Sequence, residues 1–176
     1  MGQNLIPWNG NYQDIKPSKE IFVVDDDEDM RELIASSLES EGFSVATFED
    51  GDSFLRAAST RIPICVFLDV VMPIRSGLDV LQELRSRRYW TPIILTSARD
   101  DFGTVVEAMR HGAHDYIRKP FDRDVPTLRV RDAIEAWSAR EQERGVLNVP
   151  TNENCEWFRL TPSERELVLF SRLMDT

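Results

Sequence analysis

The chain has 176 residues, of which 41% are hydrophobic and 30% charged, and these proportions indicate a soluble globular protein of one ordinary domain with tails. No apolar run reaches the ~18 residues that a membrane-spanning helix needs, and residues 1–19 lack the basic and apolar stretches of a secretory signal. The formal net charge of −10 argues against a free-standing nucleic-acid-binding protein, which needs a basic face to neutralise phosphates.

After a polar leader at residues 1–19, the chain alternates between short apolar runs and longer amphipathic segments up to residue 140. The short runs are rich in β-branched residues, which predicts strands buried on both faces. The longer segments carry apolar residues at helical spacing, which predicts helices. The predicted strands are 21–24, 43–48, 64–68, 92–96 and 115–118, and the predicted helices are 29–41, 52–58, 77–88, 104–111 and 124–140. Strand–helix pairs in this order predict an α/β protein with a parallel sheet covered by helices on both faces.

The composition changes after the last of these helices. Residues 141–159 contain glycine, proline and several asparagines, which predicts a linker. Thr161, Pro162 and Glu164 follow in the order of an N-cap, a first helical residue and a capping-box acceptor. Residues 160–176 are therefore expected to form a C-terminal helical extension, whose apolar side chains pack on the main domain or, as the favoured hypothesis, on a second chain.

Polar side chains stand at the carboxyl ends of four predicted strands. Asp25 and Asp26 follow the first strand, Asp69 follows the third, Thr96 ends the fourth, and Lys119 follows the fifth. Because ligands of open parallel sheets bind beyond the carboxyl ends of the strands, we expect these side chains to converge on one crevice.

The chemistry of this set indicates phosphoryl transfer. Carboxylates that lie a few ångströms apart repel one another, so they require a cation, and an all-oxygen ligand set that retains water favours Mg²⁺. An aspartate beside Mg²⁺ and Lys119 is able to attack a phosphoryl donor, with Thr96 and Lys119 binding the phosphate oxygens. Each residue alone has an ordinary explanation, such as an acidic start of a helix for residues 25–29. Those explanations leave the combination at one sheet edge unexplained.

Four segments resemble the signatures of receiver domains of bacterial two-component response regulators, in order and spacing, over about residues 20–136. They are VVDDD at 23–27, LDVVMP at 68–73 with glycine at 77, LTSA at 95–98 and DYIRKPF at 115–121. The resemblance implies a flavodoxin-like, doubly wound sheet of strand order 2-1-3-4-5. It also implies a cytoplasmic protein that is not an enzyme but assists its own phosphorylation by a sensor histidine kinase or a phosphotransfer protein.

The same resemblance implies a role for each residue of the acidic site. Asp69 is similar to the phosphoacceptor of the family. Asp26 is similar to its direct Mg²⁺ ligand, and Asp25 to the carboxylate that binds the metal through water. The backbone carbonyl of Val71 would complete the metal site.

Further positions resemble the family's switch residues. Thr96 is similar to the switch hydroxyl, Lys119 to the phosphate-binding lysine and Tyr116 to the switch aromatic, while Pro120 corresponds to a cis-proline. A phosphoryl group on Asp69 would draw Thr96 towards its oxygens, and Tyr116 would then rotate inward. This change would bias the surface made by the fourth helix, the fifth strand and the fifth helix, and with it dimerisation.

The expected output is contact with other proteins, including a second copy of the chain. Residues 158–168 resemble the opening of the DNA-binding domain of FixJ/LuxR-type regulators, a class that residues 108–113 also favour, but no recognition helix follows. The chain alone is therefore not expected to bind DNA. The alternative is a transcriptional regulator whose helix-turn-helix domain is missing from this chain. Pro126 is expected to shift the start of the last predicted helix, which leaves the dimer geometry open.

Two alternatives from other classes fit less well. A hydrolase of the haloacid dehalogenase type also uses an aspartate nucleophile, but it needs a second aspartate two residues later, where this chain has Val71. A nucleotide- or flavin-binding protein would need a glycine-rich loop after the first strand, where this chain has an acidic triplet.

Overall fold

Five strands and five helices alternate along the residues that the computed structural model describes, which are 20–98 and 102–144. The strands are β1 (Glu20–Val24), β2 (Ser44–Phe48), β3 (Cys65–Asp69), β4 (Ile93–Ser97) and β5 (Asp115–Arg118). The helices are α1 (Glu28–Ser40), α2 (Gly51–Ala58), α3 (Gly77–Ser86), α4 (Phe102–Arg110) and α5 (Val125–Arg144). All ten predicted elements are present, with ends that differ from the predicted ones by a few residues.

The strands form one parallel sheet in the order β2-β1-β3-β4-β5, so the predicted flavodoxin-like topology is confirmed. Strand β1 pairs with β2 on one side and with β3 on the other, so the direction in which successive strands are added to the sheet reverses at β1. The carboxyl ends of β1 and β3 therefore border the crevice in which sheets of this type bind ligands.

Side chains of the central strands alternate between two hydrophobic cores, as the two-residue repeat of a strand requires. In β1, Phe22 and Val24 pack with the buried residues of α2, α3 and α4, whereas Ile21 and Val23 pack with those of α1 and α5. Burial on both faces explains why these strands are apolar without interruption. Cys65 lies in the second core with no exposed surface.

The acidic residues after β1 also start helix α1. Asp27 is the N-cap, and its Oδ1 accepts hydrogen bonds from the backbone N–H groups of Asp29 at 3.0 Å and Met30 at 3.3 Å. The structural explanation of the acidic run as a helix start therefore holds for Asp27. Asp25 and Asp26 precede the cap, which leaves them at the end of β1.

Helix α5 begins at Val125, with Pro126 in its first turn, where a missing N–H is tolerated. The helix continues to Arg144, four residues beyond the predicted end, so the first residues of the predicted linker 141–159 are helical. The leader 1–19 and the extension 160–176 lie outside the described residues, and their predicted structures stay predictions. Within residues 20–98 and 102–144, no helix is long and apolar enough to cross a membrane.

Candidate functional site

The carboxyl ends of three strands bring two carboxylates and one ammonium group into direct contact. Asp25 follows β1, Asp69 ends β3, and Lys119 follows β5. Lys119 Nζ lies 2.6 Å from Asp25 Oδ2 and 2.7 Å from Asp69 Oδ1, so a single ammonium group bridges both carboxylates. Asp69 is only 3% exposed and Asp25 is equally buried, whereas the Lys119 side chain is partly buried, with 12% of its surface exposed. The predicted convergence of these residues is confirmed.

Asp26 completes a cluster of three carboxylates. One oxygen from each of Asp25, Asp26 and Asp69 lies within 4.8 Å of the others. Asp26 is exposed, so the cluster opens to solvent on its side. This set of hard oxygen donors, with a solvent-facing side for bound water, fits Mg²⁺ better than metals that prefer nitrogen or sulfur.

Thr96 lies beside Asp69 in the sheet, because the two residues are partners in the register of β3 and β4. Its side chain is buried, with 1% of the residue exposed, and its Oγ1 has no hydrogen-bond partner among the described residues. A buried hydroxyl without a partner destabilises the fold by about 1–3 kcal/mol, so such groups are rare unless a ligand supplies the partner. The unpaired Oγ1 therefore supports a ligand at this edge of the sheet.

The loop after β3 is held tightly against Asp69. The backbone N–H of Val71 donates to Asp69 Oδ2 at 2.9 Å, and the N–H of Gly77 donates to the Val70 carbonyl at 2.9 Å. A Cβ atom at Gly77 would lie 2.1 Å from the Asp69 carbonyl oxygen, so only glycine permits this approach. The role of the Val71 carbonyl as a metal ligand stays a prediction.

The remaining predicted switch residues lie on or next to β5. Tyr116 is half-buried against the core that includes α4, and it pairs in register with Leu95, the neighbour of Thr96. The Lys119–Pro120 peptide bond is cis, as predicted. Tyr116 thus lies on β5, with β4 between it and the strand that carries Asp69, and it takes no part in the cluster itself. Its switching role stays a prediction.

Burial and charge act in opposite directions on the ionisation of these groups. Burial raises the pKa of Asp69 to about 6, and the hydrogen bond from Lys119 offsets only part of this effect. Burial likewise raises the pKa of Asp25, again against the hydrogen bond from Lys119. Burial by itself would lower the pKa of Lys119, but its hydrogen bonds to Asp25 and Asp69 outweigh burial and raise it. Lys119 is therefore charged at neutral pH, and the carboxylates are poised to bind a further cation.

Asp69→Asn is expected to raise the free energy of unfolding by about 2 kcal/mol at pH 7.5 without divalent cations. Because the pKa of Asp69 is higher in the folded chain, at about 6, than the usual 3.8, the folded state binds more protons between these values and loses stability as pH rises through 6. Asparagine resembles the neutral form at every pH, so its advantage should disappear near pH 4. Urea unfolding at both pH values measures this. An equal gain at pH 4 would contradict the electrostatic cause.

Two neighbours of the site are not evident from the sequence. Arg31, one turn into α1, donates from Nη1 to the backbone carbonyl of Asp25 at 2.6 Å. Arg75, in the loop after β3, lies 3.2 Å from Asp52 of α2 and also pairs with Glu83 of α3. From the sequence alone, such arginines are expected to be solvated surface charges, because only the folded chain shows which carbonyl or carboxylate they contact.

Comparison with known proteins extends the geometric findings. Residues 21–131 match the family described as response regulator receiver domain. The chain is 35% identical over 134 residues to the DNA-binding transcriptional regulator NtrC of Escherichia coli K12, covering 76% of this chain and 29% of that protein. It is 38% identical over 161 residues to the probable transcriptional regulatory protein TcrX of Mycobacterium tuberculosis, covering 85% and 69% respectively. The chain thus spans less than a third of NtrC.

A solved structure agrees with these sequence matches. The receiver domain of NtrX from Brucella abortus is 38% identical, with a TM-score of 0.62, and the match covers 65% of this chain and 98% of that one. The resemblance to FixJ/LuxR-type regulators depended partly on residues 158–168, which lie outside the described residues. The placement in that subclass stays a prediction.

Proposed function

The chain belongs to the family of response regulator receiver domains, and from this premise we propose that it accepts a phosphoryl group on Asp69 from a sensor histidine kinase or a phosphotransfer protein. The observation that carries the proposal is the contact of Lys119 with Asp69 at 2.7 Å, beside a buried Thr96 hydroxyl that lacks a partner among the described residues. These groups are what an aspartyl phosphate needs for its charge and its oxygens.

The transfer would form one bond and break one bond at phosphorus. A carboxylate oxygen of Asp69 attacks the phosphoryl group of a phosphohistidine, the P–N bond breaks, and the imidazole leaves with a proton from solvent. Lys119 Nζ and Thr96 Oγ1 then donate hydrogen bonds to the phosphoryl oxygens, which gives the Thr96 hydroxyl its missing partner.

Asp26 and Asp69 would hold Mg²⁺ directly, with Asp25 acting through water and the Val71 carbonyl completing the set. When bound, the ion neutralises negative charge that develops on the phosphoryl oxygens during transfer. Lys119 alone balances one of the two buried carboxylates, so the pocket retains negative charge and favours a divalent cation.

We propose that the signal leaves through the surface of α4, β5 and α5. Movement of Thr96 towards a phosphoryl group would open space for the Tyr116 side chain, since Tyr116 pairs in register with Leu95, the residue before Thr96. The altered surface would change contacts with other proteins, including a second copy of the chain, in the cytoplasm.

Intact mass spectrometry with acetyl phosphate and Mg²⁺ tests the phosphoacceptor assignment. The wild-type chain is expected to gain one phosphoryl adduct, because a small donor requires only the pocket chemistry. Asp69→Asn and addition of EDTA should both abolish the adduct. Asp132→Asn, which removes an exposed carboxylate from α5, is the matched control and should be labelled as the wild type is. Labelling that persists in Asp69→Asn would contradict the assignment.

A second candidate output is control of transcription, which the names of NtrC and TcrX favour. In that case the chain would regulate a DNA-binding domain in a longer protein. A gel-shift titration of the full product of the native reading frame, phosphorylated and unphosphorylated, distinguishes the two outputs. A sequence-specific shift that this chain alone does not give would favour the second candidate, and its absence in the full product would favour the first.

A further inference from the structure

Ile74 occupies an unfavourable backbone conformation at the tip of the loop after β3. Its φ angle is 68°, and the N–H of Arg75 donates to the Pro73 carbonyl at 2.7 Å across it. This hydrogen bond and the positive φ describe a γ-turn of the rare, strained kind. A β-branched residue is the least suited to this conformation, which glycine and asparagine adopt readily.

Packing against the described residues does not offset this strain, because Ile74 is 98% exposed among them. A single exposed apolar side chain is ordinary on a protein surface. An exposed isoleucine at a position that favours glycine or asparagine is different, since its strained backbone and its solvent-exposed apolar side chain both oppose stability. Strain of this kind is found at binding and active sites, where a function retains the residue.

The loop that carries Ile74 begins directly after Asp69, the proposed phosphoacceptor, and is anchored on both sides of its tip. On one side of the tip, Met72 is buried in the core. On the other side, Arg75 is anchored to Asp52 and Glu83. The ends of the loop meet through the hydrogen bond from Gly77 to Val70, so the tip projects from the carboxyl edge of the sheet.

Whatever delivers a phosphoryl group must pass this rim, because Asp69 itself is almost completely buried. The rim contains Val71, which is 44% exposed and donates its N–H to Asp69. Residues 26–29 are all exposed and acidic, and the first of them, Asp26, belongs to the carboxylate cluster. The mouth of the pocket therefore combines a projecting apolar contact with a strongly negative border.

We propose that Ile74, with Val71, is the apolar docking contact for the histidine-phosphorylated donor protein. The inference rests on the proposed phosphoacceptor function of Asp69. Charge complementarity with residues 26–29 indicates a donor surface on which basic side chains surround an apolar depression that receives Ile74. A small donor such as acetyl phosphate enters the pocket without touching this contact.

The test compares protein and small-molecule donors on the same variants. Autophosphorylated kinase cores encoded in the same genome are screened on the wild-type chain, and the fastest is kept as the donor. Ile74→Asn, which suits a positive φ but removes the apolar surface, should lower kcat/KM for transfer from that kinase by about tenfold. Its labelling rate with acetyl phosphate should be unchanged, and its thermal midpoint should rise by a few degrees.

Matched variants separate docking from other causes. Ile74→Leu keeps an apolar tip and should retain transfer, and Leu128→Asn removes an apolar side chain that is 54% exposed on α5 and should also retain it. Unchanged kinase transfer in Ile74→Asn would overturn the proposal, as would an equal loss with both donors. A lower thermal midpoint would mean that another part of this chain covers Ile74, and would also overturn it.

Failure of docking and failure of the phosphoacceptor assignment give different results. Labelling of the wild-type chain by acetyl phosphate but by no kinase core would refute the docking contact and leave Asp69 as the acceptor. Labelling by neither donor would refute the proposed function itself.

Discussion

Replacing Lys119 with methionine is expected to lower the free energy of unfolding at pH 7.5 by about 3 kcal/mol when divalent cations are absent. In the wild-type chain, the Lys119 ammonium contacts both Asp25 and Asp69 within 2.7 Å. Its removal leaves two buried carboxylates side by side without a counter-charge, and a methionine of similar length fills the space but supplies no charge. Breaking a buried pair in this way is more destabilising than removing it completely.

The pH dependence of this loss identifies its cause. The pKa of Asp69 is already raised to about 6 by burial, and that of Asp25 is also raised. Without Lys119 both pKa values should rise further, so the folded state would bind protons up to a higher pH. Its stability would then fall as pH rises through that window. The difference between Lys119→Met and the wild type should therefore shrink at pH 5.

Urea unfolding at pH 5 and pH 7.5, with and without Mg²⁺, measures both effects. Mg²⁺ should stabilise Lys119→Met more than the wild type, because the cation replaces part of the lost charge. Arg110→Met removes an exposed cation from α4 and serves as the control, which should change little at either pH. A loss in Lys119→Met that is the same at both pH values would point to lost packing instead. Labelling by acetyl phosphate should also decrease sharply.

Replacing Gly77 with alanine is expected to destabilise the domain by about 3 kcal/mol and to slow phosphorylation of Asp69. The added Cβ would lie 2.1 Å from the carbonyl oxygen of Asp69 and 3.0 Å from the Cα of Val70. Backbone atoms cannot yield as a flexible side chain can, so the end of β3 or the start of α3 must move. Either movement displaces the carboxylate from Lys119 and from the N–H of Val71.

Gly42→Ala provides the matched comparison for this substitution. Gly42 has a φ of 85° but open space around its Cβ position, so alanine there meets strain without a clash. We expect a loss of about 1 kcal/mol, with no effect on phosphorylation. Urea unfolding and the acetyl phosphate assay on both variants test the contrast. Similar losses in the two variants, with phosphorylation intact in Gly77→Ala, would show that the close approach at Gly77 is unimportant.

The acidic run at residues 25–29 illustrates what sequence patterns leave undecided. Its residue types favour both a helix start and a metal site, and no spacing rule divides the residues between these roles. In the folded chain Asp27 caps α1, while Asp25 and Asp26 join Asp69 in the carboxylate cluster. The division follows from where β1 ends and α1 begins, which depends on pairing with β2 and β3.

Residue order by itself determined the strands, the helices and the residues that end each strand, because the spacing of apolar residues and the positions of turn-forming residues are local properties. Together with the family signatures, it also identified Asp69 and Lys119 as members of one site. Only the tertiary structure decided that one ammonium group bridges two carboxylates, that the Thr96 hydroxyl lacks a partner among the described residues, and that Ile74 is strained and exposed. These properties depend on the register of separate strands and on the path of one loop, and both are set by how distant segments pack.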